Sequence, residues 1–143
     1  MKFKFAYENV LKNKKIQKDV AQRDLVLAQN KAETEDDHLQ NMYQLVKDSR
    51  KANDKNLKNI EMLKWTQLFI EGQAIKIERQ KKSLRELNQI VEEKRDGLAQ
   101  LAKDFKVFEK LREKMKERHR KSERKSEMKR NDELVVMYTK RGR

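Results

Sequence analysis

The sequence contains no cysteine, no proline and only three glycines among its 143 residues. Without cysteine there can be no disulfide, no thiolate metal site and no cysteine nucleophile. Proline and glycine are the residues that usually break a chain into short elements, so their scarcity favours long helices. Hydrophobic residues make up 36% and aromatic residues 6%, which is too little for a globular core of ordinary size. We therefore expect long helices that bury one apolar stripe between them.

Long hydrophobic runs are also missing. No segment approaches the roughly 20 apolar residues that a membrane-spanning helix needs. The N-terminal residues 1–8 carry positive charge but no apolar run follows them, so they do not resemble a secretory signal. These patterns predict a soluble, cytoplasmic protein.

The strongest positive feature is a column of positions seven residues apart, which we call the heptad column. A strict seven-residue repeat keeps one face of a helix against a partner helix, as in coiled coils. Disorder is the alternative for a chain in which 43% of residues are charged, but the repeat is too sustained for a disordered polar segment. The column consists of Tyr7, Lys14, Ala21, Ala28, Glu35, Met42, Ser49, Asn56, Leu63, Ile70, Ile77, Leu84, Val91, Leu98 and Phe105.

Turn-forming residues cluster at one place only, in the sequence Asn53-Asp54-Lys55-Asn56, with Asn59 nearby. We predict an all-α fold in which two long helices form an antiparallel coiled-coil hairpin with its turn near residues 53–57. Helix one is expected at about 3–52 and helix two at about 58–138, within a single domain spanning 1–143. The alternative is one continuous helix in which the asparagines set the register of a dimeric coiled coil.

A hairpin with this turn makes a prediction about which residues face each other. Residues whose numbers sum to about 111 should lie at the same level. Phe3, Phe5 and Tyr7 then fall opposite Phe105 and Phe108, which predicts an aromatic cluster at the open end of the hairpin.

A second apolar stripe follows the turn on the face of helix two opposite Leu63 and Ile70. It is expected to be exposed, because a two-helix hairpin has no further layer to cover it. We interpret it as a partner-binding patch; the alternative is a locally rotated helix in which Trp65 covers the end of the hairpin. The stripe contains Met62, Trp65 and Phe69, with Leu68 and Tyr43 near it.

The C-terminal segment carries much of the net charge of +13. Residues 108–143 hold 14 Lys/Arg and 7 Asp/Glu. Because the hairpin pairing places Phe3 opposite Phe108, residues 109–143 are predicted to overhang helix one. Phe108, Leu111 and Met115 form an apolar line along this basic overhang. We expect the overhang to bind an acidic surface; the alternative is a solvated single helix stabilised by its own ion pairs.

No pattern typical of catalysis or of a metal or cofactor site occurs in the sequence. His38 and His119 are predicted on different helices and at different levels, so they do not suggest a joint site. The basic overhang is interleaved with glutamates and has no aromatic residue between 109 and 137, which argues against specific nucleic-acid recognition. We expect a non-enzymatic protein that needs no cofactor and works through its surface.

Three groups of residues resemble the FliJ family of flagellar type III export proteins. The N-terminal group is Phe3-x-Phe5 followed by Val10-Leu11, and the middle group is Trp65-x-x-Leu68-Phe69-Ile70. The C-terminal group is Phe108-Glu109-x-Leu111-x-Glu113-Lys114, followed by Glu127 and Asp132-Glu133-Leu134. The resemblance covers most of the chain and is stronger in its second half.

This resemblance implies a monomeric hairpin similar to the coiled-coil stalk of the rotary ATPase gamma subunit. Such a protein inserts its ends into the hexameric flagellar export ATPase, promotes assembly of that ring, links it to the cytoplasmic domain of the export gate membrane protein, and handles export chaperones. It is cytoplasmic and peripherally associated with the membrane-embedded gate. The other readings that remain are a structural coiled-coil tether and a basic coiled coil associated with nucleic acid.

The resemblance also implies roles for individual residues. The ATPase-binding residues would be Phe108, Leu111, Arg112, Met115 and Arg120. The family's gate-binding surface maps onto Leu39, Met42, Val46, Phe69 and Gln73. Together with the exposed stripe, the predicted gate patch comprises Trp65, Leu68, Phe69, Gln73, Tyr43, Leu39, Met42 and Val46. Companion positions, which lie four residues after the heptad column in helix one and three residues after it in helix two, complete the inward face. The heptad column and its companion positions, however, predict burial of Leu39, Met42 and Val46.

Overall fold

A computed structural model describes residues 2–55 and 58–142, and these residues form two α-helices and no strand. Helix α1 spans Glu8–Lys55 and helix α2 spans Ile60–Arg141. The two helices run antiparallel and pack against each other, which confirms the predicted all-α hairpin.

The helix ends differ in detail from the expected ones. α1 begins at Glu8 and not near residue 3, because the preceding Phe5 is buried in a non-helical N-terminal segment. α1 then continues through Asn53, Asp54 and Lys55, which were expected in the turn, while residues 56 and 57 of the predicted turn lie outside the described part of the chain.

Asn59 marks the start of α2. Its side-chain oxygen accepts a hydrogen bond from the Met62 backbone N–H at 3.2 Å. This is the N-cap interaction, which satisfies one of the amide groups that lack a partner in the first turn of a helix. The helix then runs to Arg141, three residues beyond the expected end.

The chain divides into two compact units. The central unit is Val20–Ala99, and the terminal unit combines Met1–Asp19 with Gln100–Arg143. Each unit contains part of α1 and part of α2.

The core of the central unit lies along the heptad column and its companion positions. Leu25 and Ala32 of α1 are buried with Val91 of α2, and Ala28, Leu84, Leu87 and Leu98 pack around them. Leu39, Ile77 and the polar Gln73 are also buried. Burial of each large apolar side chain stabilises the fold by about 1.5–3 kcal/mol.

The level at which the helices pair is shifted by about one helical turn from the predicted one. The Gln80 side chain donates hydrogen bonds to the backbone oxygen and the carboxylate of Glu35, whereas the sequence rule places Lys76 opposite Glu35. The shift follows from the helix ends, because α1 extends to Lys55 and α2 starts only at Ile60.

In the terminal unit, aromatic side chains hold the N-terminal segment on α2. The rings of Tyr7 and Phe108 lie 6.4 Å apart edge to face, and those of Phe5 and Tyr7 lie 5.8 Å apart. Phe3 contacts the ring of His119 at 5.6 Å, so the N-terminal segment reaches eleven residues beyond Phe108 along α2. The contacts of the N-terminal segment with α2 therefore extend to His119, past residue 109 where the overhang was predicted to begin.

Candidate partner-binding surfaces

Exposed apolar residues form a patch on the first turns of α2. Trp65 is 73% exposed, and Met62, Leu68 and Phe69 are exposed as well. The opposite face of α2 carries Leu63 and Ile70, which are half-buried against α1. The predicted exposure of this stripe is thus confirmed.

Two of the predicted patch residues lie together beside α1. Trp65 and Phe69 line a shallow pocket of about 360 Å³ whose other walls are Ser49, Ala52 and Thr66. This pocket has the size and apolar lining of a docking site for one or two side chains of a partner.

The remaining members of the predicted gate patch are distributed differently. Leu39 and Gln73 are buried, with 6% and 8% of their surface exposed, and Met42 and Val46 are half-buried. These residues are not among those that line the Trp65 pocket, and Val46 lines a different groove. Sequence periodicity correctly placed Leu39, Met42 and Val46 on the inward face of α1.

Tyr43 belongs to a separate groove and does not contact the Trp65 pocket. This groove has a volume of about 500 Å³ and an apolar floor that includes Tyr43, Ile70 and Ile77. Lys81 lies with its Nζ 5.8 Å from the centre of the Tyr43 ring. The pKa of Lys81 is raised, first by its hydrogen bond with Tyr43 and then by its hydrogen bond and ion pair with Glu78.

The predicted ATPase-binding residues lie in the terminal unit and are partly engaged within the chain. Phe108 packs against Tyr7, and Met115 is half-buried. Arg112 forms an ion pair with Glu8 at 3.5 Å. Arg120 donates a hydrogen bond to Glu117 at 2.8 Å, and this bond lowers the pKa of the Glu117 carboxyl.

A third apolar surface near the end of α2 was not predicted from the sequence. Five consecutive residues, from Leu134 to Tyr138, are all exposed, with 51–73% of each side chain accessible. Because successive residues of an α-helix are rotated by about 100°, five in a row cover the whole circumference of the helix. We call these residues the apolar collar. The detectable signal was an uninterrupted apolar run, Leu-Val-Val-Met-Tyr, inside a highly charged segment.

A family model for the flagellar FliJ protein matches residues 3–143 of the chain. This chain belongs to the FliJ family. A search of curated proteins and a search of solved structures each returned no match.

Membership of the FliJ family makes this a protein of flagellar export. The helices in the described residues include none that is long and apolar enough to span a bilayer. Within residues 2–55 and 58–142, no three His, Asp or Glu side chains are arranged to hold a metal ion.

Proposed function

We propose that this FliJ-family protein is a non-enzymatic stalk of the flagellar type III export apparatus. It binds the hexameric export ATPase and promotes the assembly and activity of that ring. It also links the ring to the cytoplasmic domain of the export gate membrane protein and to export chaperones. When bound to the export apparatus it acts as a single chain, located in the cytoplasm and peripherally attached to the membrane-embedded gate.

The observation that carries this proposal is the apolar collar. A helix that is apolar on one face can lie on a flat surface or in a groove, but a helix that is apolar all round is stable only when surrounded. The bore of a hexameric ring surrounds an inserted helix end on every side. The collar therefore suits insertion into the ring better than attachment to a membrane surface or to a single partner helix.

The charge around the collar supports the same proposal. Residues 108–143 have 14 basic and 7 acidic side chains, and every residue from Arg120 to Gly142 is exposed. An exposed basic helix is attracted over several ångströms by an acidic rim, which aligns its end before the apolar collar makes contact. The predicted residues Arg112 and Arg120, with Phe108, Leu111 and Met115, would then contact the mouth of the bore.

The gate link rests on the Trp65 pocket. Trp65 and Phe69 are large, exposed aromatic residues on a helix that packs against α1, and large aromatic side chains often dominate the energy of an interface. Leu68 extends the same exposed face, while Leu39, Met42, Val46 and Gln73 are buried or half-buried. Tyr43 would contribute only to a partner that reaches around to the other groove.

The test of the ATPase role uses a triple variant of the collar, Leu134→Gln, Val136→Gln and Tyr138→Gln. Glutamine is a good helix former, so α2 should keep its length while the collar loses its apolar character. Hydrolysis by the purified export ATPase of the same organism is titrated with each protein at near-physiological salt. We expect the wild type to stimulate hydrolysis and the collar variant to need at least about tenfold more protein, because a tenfold change corresponds to only about 1.4 kcal/mol of lost contact.

Met128→Gln is the matched control, because it removes another exposed apolar side chain of α2 outside the collar. Truncation after Phe108 should also abolish stimulation, although it removes Arg112 and His119, which contact the N-terminal segment. Stimulation by the triple variant equal to that of the wild type would contradict the insertion of the collar. Failure of the well-folded wild type to stimulate would favour a structural tether.

The gate link is tested with Trp65→Ala combined with Phe69→Ala. Both side chains are exposed, so circular dichroism should show helicity close to that of the wild type. We expect binding to the isolated gate domain, measured by calorimetry, to weaken by at least about tenfold, since two exposed aromatic anchors are removed. Tyr43→Ala, in the other groove, is the control, and unchanged gate binding by the double variant would remove the Trp65 pocket from the proposal.

A further inference from the structure

One exposed face of α2 in the central unit is self-complementary: the residues in its first half match those in its second half in charge, apolar character and size. Its positions alternate by four and three residues, which keeps them on a single face of a helix. All six are exposed, and an added Cβ at the central glycine would meet no atom within 4 Å. We call this face the 61–79 stripe; in order it consists of Glu61, Trp65, Leu68, Gly72, Ile75 and Arg79.

From this pattern we propose that two copies of the chain associate through the 61–79 stripe, with their α2 helices antiparallel. When the second copy is placed about a two-fold axis midway between Leu68 and Gly72, three kinds of contact arise and each occurs twice. Glu61 faces Arg79, Trp65 faces Ile75, and Leu68 faces Gly72. The stripe is thus complementary to itself in charge, in apolar character and in size, as a two-fold interface requires.

Each contact has a physical basis in the exposed surface. Glu61 and Arg79 carry opposite charge and lie at the two ends of the stripe, so only an antiparallel copy brings them together. Trp65 and Ile75 are 73% and 58% exposed and would each cover the other. The bare backbone at Gly72 leaves a notch in the middle of the stripe, and Leu68 of the other copy is the side chain that faces it.

The stripe also limits the strength of the association. Six positions over about 27 Å of one helix make a contact smaller than most stable interfaces. One step beyond each end lie Lys58 and Lys82, which would face each other as like charges and prevent the pairing from extending further. We therefore expect a reversible dimer that forms as the protein concentration rises.

The test uses charge reversal and its compensation. Sedimentation equilibrium of the wild type should show the average mass rising above 17.3 kDa towards the dimer as concentration increases to about 1 mM. Arg79→Glu alone and Glu61→Arg alone should each weaken association by about tenfold, because each places like charges opposite one another twice. The double variant should return to within about threefold of the wild type, because it restores both opposite-charge pairs.

Two further variants test whether the effects are specific to the 61–79 stripe. Arg23→Glu makes the same change of net charge on an exposed part of α1 and should leave association unchanged. Gly72→Met places a side chain in the notch, and its Cβ would meet no atom of its own chain within 4 Å, so we expect the hairpin to stay folded while association is lost. Trp65 is the single tryptophan of the sequence, so its fluorescence reports on the stripe. In the wild type, the emission maximum should shift to the blue over the same concentration range in which the average mass rises.

A wild type that stays monomeric up to about 1 mM would overturn the proposal. The proposal would also be overturned if the single charge reversals left association unchanged. It would equally be overturned if the double variant failed to restore association. If the proposed gate role is correct, the dimer hides Trp65 from the gate, and the isolated gate domain should dissociate it. That consequence alone rests on the proposed function, and because Arg79→Glu keeps Trp65 and Phe69, gate binding and self-association can fail separately.

Discussion

At the scale of single residues, one ion pair on the exposed part of α2 makes local helix stability depend on pH. Arg120 donates a hydrogen bond to Glu117, and this lowers the pKa of Glu117 from its ordinary value of 4.5. A carboxyl whose pKa is lower in the folded state stabilises that state above its unfolded pKa. This contribution to stability is lost as pH falls through the pKa that the carboxyl has in the folded state.

We therefore predict a pH-dependent effect of Glu117→Gln on the helicity of residues 117–121. Near neutral pH the variant should show smaller helical Cα chemical shifts than the wild type, because the charged pair three residues apart is gone. The difference should disappear as pH falls through the lowered pKa of Glu117, which lies below 4.5, and the wild-type carboxyl takes up its proton. Glu127→Gln, farther along the same exposed helix, is the control; a difference that persists in acid would contradict this account.

Asn59 shows what residue types alone leave undetermined. Asparagine favours both turns and helix N-caps, since its side chain can bond to nearby backbone groups in either setting. The sequence indicated that the chain reverses near Asn53, Asp54 and Asn59, and the structure shows which role each takes. Asn59 caps α2, while Asn53 and Asp54 continue α1. Helix propensities differ by less than about 0.7 kcal/mol per ordinary residue, so packing decides such cases.

At the scale of the helices, packing is shallow. The most buried apolar side chains in the described part of the chain still keep 6–8% of their surface exposed. A truncation there leaves a space that water or neighbouring side chains can partly fill. Its cost should thus lie near the lower end of the usual range of about 2–5 kcal/mol for buried Leu→Ala changes.

Leu25→Ala in the core of the central unit is the corresponding prediction. We expect a loss of about 2 kcal/mol in the free energy of unfolding, measured by urea denaturation followed by circular dichroism. Leu27→Ala, two residues away and 67% exposed, is the matched control and should change that free energy by less than about 0.5 kcal/mol. Equal losses in the two variants would show that the helix interface does not lie along the heptad column.

The heptad column predicted the inward face of both helices well. Ala28, Leu84 and Leu98 pack around the buried Val91, all in the expected column. Periodicity fixes which side of a helix faces its partner, because that depends only on spacing within the helix. It does not fix the level of pairing between helices, which depends on where the chain reverses. A displacement of the helix ends by a few residues was enough to bring Gln80 to Glu35.

At the scale of the whole molecule, the three candidate partner surfaces differ in how far they could be predicted from the sequence. The exposure of Trp65 and Phe69 followed from the same periodicity that identified the inward face. The division between the Trp65 pocket and the Tyr43 groove did not, because it depends on the relative positions of side chains from both helices. The apolar collar is a run of consecutive apolar residues with no helical periodicity. Searching the sequence for apolar residues spaced three or four apart therefore does not detect it.

The order in which contacts are formed follows from the antiparallel pairing. Ser49 and Trp65, which line one pocket, are separated by few residues, whereas Leu25 and Val91 close a much longer stretch of chain. The contact between Tyr7 and Phe108 closes a loop that contains most of the chain. Since the entropy cost of closing a loop grows with its length, folding should begin beside the reversal and propagate outward like a zipper. With no proline in the chain, no slow peptide-bond isomerisation interrupts this process, and the contacts of Phe3, Phe5 and Tyr7 should be the last to form.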